Sequence, residues 1–180
     1  MEKISSMGVT MYALLPIMLL LQFSSLVAAV DIIFFQDPSK CSGGGFSFNS
    51  VGPNVCCAVS AKDGGSVLAT SAGAGVASKF FRGGACATEV GSGSGNTCEV
   101  GGQFTGASWF NARRRSLLGN SQTCNSQMKP TGVVYTEDGA NGNWILNTEE
   151  AAEIYSQMLG IPDAEKASWL QSHGAPYTKL

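Results

Sequence analysis

The chain has 180 residues, with 11 Lys+Arg against 13 Asp+Glu, a formal net charge of −2 and a pI near 5.3. That balance argues against a nucleic-acid binder that works by neutralising phosphates. A hydrophobic share of 44% argues against disorder, although only 13% of residues are charged. The 23 glycines predict many turns and short strands rather than a helical bundle.

Residues 1–29 read as a secretory signal peptide. Lys3 is the cation of a short leading region, and an apolar run from Met11 to Leu21 follows. Leu26-Val27-Ala28-Ala29 then offers small residues for cleavage after Ala29, with Ala28 as the second choice. The alternative is an uncleaved membrane anchor, because Met7 to Val30 carries no charge and is long enough to span a bilayer. Pro16, Gln22 and the Ser24-Ser25 pair weaken that span.

Residues 30–146 are expected to form one β domain. Val30 to Phe35 is a nearly continuous apolar run, which suits a strand buried on both faces. Gly43-Gly44-Gly45 should break the chain, and Phe46 and Phe48 then alternate with Ser47 and Asn49 as a strand with one buried face. Val55 to Ser60 is the next strand, and Lys62-Asp63-Gly64-Gly65 reads as a hairpin turn into Ser66 to Thr70. Lys79 to Arg82 and Gln103-Phe104 are weaker strand candidates, and Gly91 to Gly95 reads as a flexible loop. Residues 111–130, with Arg113-Arg114-Arg115, are expected to be an exposed loop. Gly132 to Thr136 and Asn143 to Leu146 flank Asp138-Gly139-Ala140-Asn141-Gly142, a strong hairpin signal.

Residues 147–180 change period and are expected to form a helical tail. Ala151, Ile154, Tyr155, Met158 and Leu159 share one helical face, with Asn147 and Glu150 as a capping-box-like start and Gly160 as the stop. A second helix is predicted from Pro162 to Ser172, closed by Gly174. The fold class is therefore mainly β: an antiparallel Greek-key-like sandwich or small barrel with a short C-terminal helical tail.

Cys41, Cys56, Cys57, Cys86, Cys98 and Cys124 all follow the signal segment, an even set that reads as three disulfides in an oxidising compartment. Adjacent Cys56 and Cys57 on a strand point to opposite faces and need different partners. Cys86–Cys98 is the favoured pair, because the two flank the Gly/Ser-rich segment. Zinc is disfavoured: no C-x-x-C occurs, and the one histidine, His173, is far from every cysteine.

Phe35 to Gly43, followed by the Cys56-Cys57 pair, is similar to small secreted βγ-crystallin-like proteins of fungi and plants. The resemblance implies a Greek-key sandwich over residues 30–110. Cys41 stands where that family places a second aromatic residue, and Asp63 to Ser66 only approaches its calcium motif, since Val67 follows. No calcium site is carried over.

Catalytic chemistry finds little support. The single histidine leaves no hydrolytic triad, and its place before Gly174 suits a helix end instead. Evenly paired cysteines leave no nucleophilic thiol. A two-carboxylate glycosidase would need acids across a cleft, such as Asp37 and Glu99. Trp109-Phe110, Tyr135 and Trp144 are candidate sugar-stacking residues, weighed against plain core packing. Arg114-Arg115-Ser116-Leu117 resembles the Arg-Arg-x-Leu site cut by subtilases of the secretory pathway.

The resulting expectation is a secreted, non-catalytic, carbohydrate-binding module without a cofactor, acting at the cell wall or in defence. Its partner would be an extracellular polysaccharide or a surface protein, with no nucleic acid and no membrane after signal removal, and the chain a monomer. Two alternatives stand beside it: a precursor cleaved at Arg113–Leu117 to release a C-terminal peptide, and a small extracellular carbohydrate-active hydrolase.

Overall fold

A computed structural model describes residues 29–71, 75–112 and 124–179. The strands are β1 (Val30–Phe35), β2 (Gly43–Val51), β3 (Val55–Ala58), β4 (Ser66–Ser71), β5 (Val76–Arg82), β6 (Thr88–Ser94), β7 (Thr97–Glu99), β8 (Gly106–Asn111), β9 (Ser126–Met128), β10 (Gly132–Thr136), β11 (Gly142–Asn147) and β12 (Tyr177–Lys179). Two helices, α1 (Ala151–Leu159) and α2 (Asp163–Ser172), lie between the last two strands.

The strands form two sheets, ordered β12-β11-β10-β2-β1-β4-β7 and β6-β5-β8-β3-β9. Each described pairing is antiparallel except β3 with β9, which is parallel. One hydrophobic core joins the sheets. Val30, Ile32 and Phe34 of β1 meet Phe80 of β5 and Trp109 of β8 there, while Tyr155, Met158 and Leu170 of the two helices extend it. The alternate residues of β1 are also buried: Ile33 and Phe35 cluster with Leu68 and Val134 on the other face of the larger sheet. The continuous apolar run of β1 thus reflects a central strand between β2 and β4, enclosed on both sides.

Several local expectations are corrected. Gly43-Gly44-Gly45 does not break the chain but opens β2. A Cβ on Gly45 would lie 2.0 Å from the Phe34 carbonyl oxygen, and one on Gly44 would lie 2.9 Å from the Met158 methyl. Glycine is required at Gly45, where the β1 backbone approaches β2, so tertiary packing overrides poor strand propensity there. Residues 62–65 are no hairpin: a 3-10 turn (Ala61–Asp63) leads from β3 in one sheet to β4 in the other. Gly91 to Ser94 of the supposed loop lie in β6, an edge strand paired with β5. Gln103-Phe104 is not a strand, although Phe104 is fully buried.

Within the segment 111–130, two described stretches are strand rather than loop. Asn111 ends β8, and Ser126–Met128 forms β9 against β3. The Arg114, Arg115, Ser116 and Leu117 signal lies outside the described residues, as do the signal segment and its anchor alternative. Among the described residues, no helix is long and apolar enough to cross a membrane. The tail is not purely helical either, because β12 returns to pair with β11. The cap of α1 also differs: Glu150 is the N-cap, and its amide donates to Thr148 Oγ1 at 3.1 Å, so the Asn147-led capping box does not form.

Trp109 belongs to the core. It is 3% exposed, and its Nε1–H donates to the Val51 carbonyl at 2.6 Å. Trp109→Phe keeps most of the ring but orphans that buried carbonyl. It should cost about 1–3 kcal/mol in a denaturant titration, without changing retention on any polysaccharide.

Candidate functional site

The described cysteines form two bridges rather than three. Cys41 bonds Cys98 and Cys56 bonds Cys86, while Cys57 and Cys124 are free. The favoured Cys86–Cys98 pair is therefore overturned. The reason lies in the sheets: Cys98 sits on β7, at the edge of the larger sheet, and Cys86 follows β5 of the smaller one. The Gly/Ser-rich segment they flank is an ordered strand and not a loop closed by a bridge. The adjacent pair does diverge, with Cys56 bonded to Cys86 and Cys57 in the core, but Cys57 is free and has no disulfide partner of its own.

The Cys41–Cys98 bridge flanks a cleft. Residues 36–42 connect β1 to β2 and are fastened through Cys41 to β7. Opposite them stand the β10–β11 turn and the first residues of α2. Together they enclose a cleft of about 410 Å³, whose walls include Gln36, Asp37, Lys40, Tyr135, Asp138 and Asp163. The Lys40 ammonium bonds the Asp138 carboxylate and lies 3.8 Å from Asp37. Ser42 Oγ donates to Asp138 at 2.7 Å. Ser39 donates to Asp37 through its amide at 2.8 Å and its hydroxyl at 2.6 Å. Tyr135 donates its hydroxyl to the Asp163 carbonyl at 3.0 Å, and the Lys166 ammonium lies 5.9 Å from the Tyr135 ring centre.

These contacts fix the protonation of the cleft. The Ser39 hydroxyl and amide hold Asp37 below the usual carboxylate value. The Lys40 ammonium, then the Ser42 hydroxyl, do the same for Asp138, and Asp138 in turn raises Lys40. Burial raises Tyr135, so it stays a neutral phenol. A glycosidase acid needs the opposite shift, a carboxyl pKa pushed up. Glu99, the other acid of the expected pair, rests its carboxylate over Gly91 of β6 and does not line this cleft with Asp37.

The depressed carboxylates also set a pH dependence. A carboxylate with a lowered folded-state pKa stabilises the fold above its unfolded pKa, and that contribution is lost as pH falls through the folded value. Melting temperature should therefore hold from neutral pH down to about pH 4 and fall below it. The fall should be smaller in Asp37→Asn, as differential scanning fluorimetry across pH can measure.

The candidate aromatic platform does not assemble as expected. Trp109 lies on β8 of the smaller sheet, inside the core that joins the sheets, while Tyr135 and Trp144 are register partners on β10 and β11. Tyr135 is 7% exposed and meets the cleft. Trp144 is half-buried and packs on Tyr177 of β12, with ring centres 5.2 Å apart. Tyr177 is exposed, so Trp144 and Tyr177 form the nearest thing to a surface aromatic pair. His173 ends α2, with Nδ1 2.8 Å from the Trp169 carbonyl and Gly174 at φ 86° after it.

A second cleft of about 380 Å³ lies between the sheets beside α1, lined by Phe46, Ser60, Asp63, Gln127, Lys129 and Glu149 among others. Elsewhere, the sulfurs of Cys56, Cys86 and Cys124 lie within 4.8 Å of one another. Two of them are bonded together, so the cluster offers a metal only one thiol and is a poor centre for one. Burial raises the Cys57 thiol pKa, keeping it protonated.

Lys40, Ser42, Asp138 and Asp163 line the cleft without any signal for it in the sequence. Asp138 was explained by turn chemistry, and its partners Lys40 and Ser42 stand 98 and 96 positions away. Such pairing leaves no local signal.

A family model, ARB_05566_N, described as an N-terminal domain, matches residues 31–131. No curated protein and no solved structure matches the chain.

Proposed function

We propose, for a chain that belongs to the ARB_05566_N family, a secreted and non-catalytic binding module that takes a neutral, polyhydroxylated ligand in the Asp37–Asp138 cleft. An extracellular polysaccharide at the cell wall is the ligand class. One observation carries the reading: a cleft of about 410 Å³ presents carboxylates and ammonium groups already fixed by one another and by serine hydroxyls. Fixed, ionised acceptors suit sugar hydroxyls, because a hydrogen bond to a charged partner is stronger than a neutral one and less ordering is left to the binding step. Four acids against two lysines among the lining residues disfavour an anionic polymer such as pectin. The two bridges support export, since such cross-links persist in oxidising compartments.

The same reading includes kinship of residues 30–110 with βγ-crystallin-like, Greek-key modules. Its support is the β1–β2 hairpin, with Phe35 buried and Gly43 at φ 88°.

A glycan array followed by polysaccharide pull-down tests the reading. Wild-type protein should be retained on a neutral glycan with no release of reducing ends. Asp138→Asn should weaken retention about tenfold or more, the scale of one charge-assisted hydrogen bond. Equal retention by the variant, or accumulation of cleaved product, would sink it.

Processing at Arg113–Leu117 is the second reading, and it has a different expected outcome from peptide release. β9 pairs with β3, and β10 lies between β2 and β11. A cut near residue 115 would leave two chains held by those ladders. Native gel filtration of nicked protein should give one peak, and free C-terminal peptide would contradict this.

A further inference from the structure

We propose that Cys124 is an exchange nucleophile for the Cys56–Cys86 disulfide, so that the protein interconverts between Cys56–Cys86 and Cys56–Cys124 cross-links. The juxtaposition is of four cysteines. The Cys124 sulfur lies within 4.8 Å of both sulfurs of the bridge, and Cys57 is the next residue after Cys56. Cys124 is free and partly exposed, whereas Cys57 is free and wholly buried in the core. Exchange requires a thiolate with access to a disulfide sulfur. Cys124 has that access, and buried Cys57 does not.

Cys124 is held at this spot by backbone pairing. The Asn125 amide donates to the Asn54 carbonyl at 2.8 Å, and β9 then runs in register with β3, Cys56 opposite Gln127. These bonds keep Cys124 beside the bridge.

The chemistry is balanced without an external oxidant. Cys124 loses its proton to water, and its thiolate attacks Cys56 Sγ. The Cys56–Cys124 bond forms as the Cys56–Cys86 bond breaks, and the electron pair leaves on Cys86 Sγ, which takes up a proton. Burial chooses the leaving group. Cys56 is 3% exposed, so a thiolate released there would pay a large desolvation cost, whereas Cys86 is partly exposed. The released Cys86 thiol also has an acceptor within reach, the Ala107 carbonyl at 3.8 Å.

The exchange changes what the cross-link spans. Cys56–Cys86 closes a 30-residue separation within the first part of the chain. Cys56–Cys124 reaches across residues 113–117, so a chain cut at the Arg run would remain one covalent molecule only in the exchanged form.

The test uses the full secreted chain with Cys57→Ala, which removes ambiguity from the adjacent cysteine. The protein is held at pH 8.5, quenched in acid at intervals, alkylated and mapped without reduction. Alkyl label should move from Cys124 to Cys86 as a Cys56–Cys124 peptide appears. Label confined to Cys124 with Cys56–Cys86 intact throughout would overturn the proposal. A Cys86–Cys124 peptide would overturn the leaving-group assignment. A second variant, Cys86→Ser, should be secreted with a Cys56–Cys124 bridge. Recovery of the folded variant with both Cys56 and Cys124 alkylatable would also overturn it. If that variant does not fold, the Cys57→Ala time course decides alone.

Discussion

Cys41→Ser is expected to cost about 4 kcal/mol of stability. The Cys41–Cys98 bridge closes a separation of 57 residues, and restricting an unfolded loop of that length is worth about 4 kcal/mol in the chain-entropy account. For a domain of this size the melting temperature should drop by roughly 8–16 °C. Calorimetry of the purified, oxidised protein measures it directly. The loss should also appear at the cleft, because Asp37, Lys40 and Ser42 all lie on the connection that Cys41 fastens to β7. Retention on glycan should therefore weaken together with stability. A variant melting within a degree or two of the wild type would mean that the bridge is absent or redundant.

Phe34→Ala should be about as damaging. Phe34 is fully buried at the centre of the larger sheet, paired with Phe46 on one side and Val67 on the other. Its ring meets Phe48 edge-on at 5.7 Å. A phenylalanine truncated in such a core loses its transfer free energy and leaves a void, about 3–5 kcal/mol together. Set against a typical total of 5–15 kcal/mol, that loss should strongly lower the yield of folded protein. Chemical denaturation would show a reduced midpoint with an unchanged slope. Phe34→Leu fills most of the space and should recover much of the stability. Equal loss from both variants would show that volume at this position is not what matters.

What the sequence disclosed follows the range of each interaction. Strands β1, β10 and β11 announced themselves, because β-branched runs and an Asp-Gly turn act within a few residues. The period of Ala151, Tyr155 and Met158 likewise marked α1 and the face it buries. Glycine misled in two places. In β2 it serves the approach of Phe34 and Met158, and in β6 it makes room for Thr97 and Glu99. Those neighbours are defined only once the sheets are assembled. Cysteine pairing failed for the same reason: nearness along the chain suggested Cys86–Cys98, whereas sheet membership selects Cys41–Cys98 and Cys56–Cys86. The tail read as helical because β12 is three residues long and exists only through its ladder with β11. Of the cleft, Asp37 and Tyr135 stand out in the sequence as candidates. Its charged walls come from segments nearly a hundred residues apart, which periodicity and turn chemistry cannot bring together. Trp109 was judged by side-chain type, and the Val51 carbonyl that fixes it in the core carries no signature of its own.

Cys41 is tied to Cys98 across the larger sheet of an oxidised, two-sheet fold. Non-reducing peptide mapping of protein collected from the medium and quenched in acid tests that directly. A Cys41–Cys98 cross-linked peptide is the predicted result. A Cys86–Cys98 peptide, or Cys41 and Cys98 both open to alkylation, would contradict the fold and the cleft built on it.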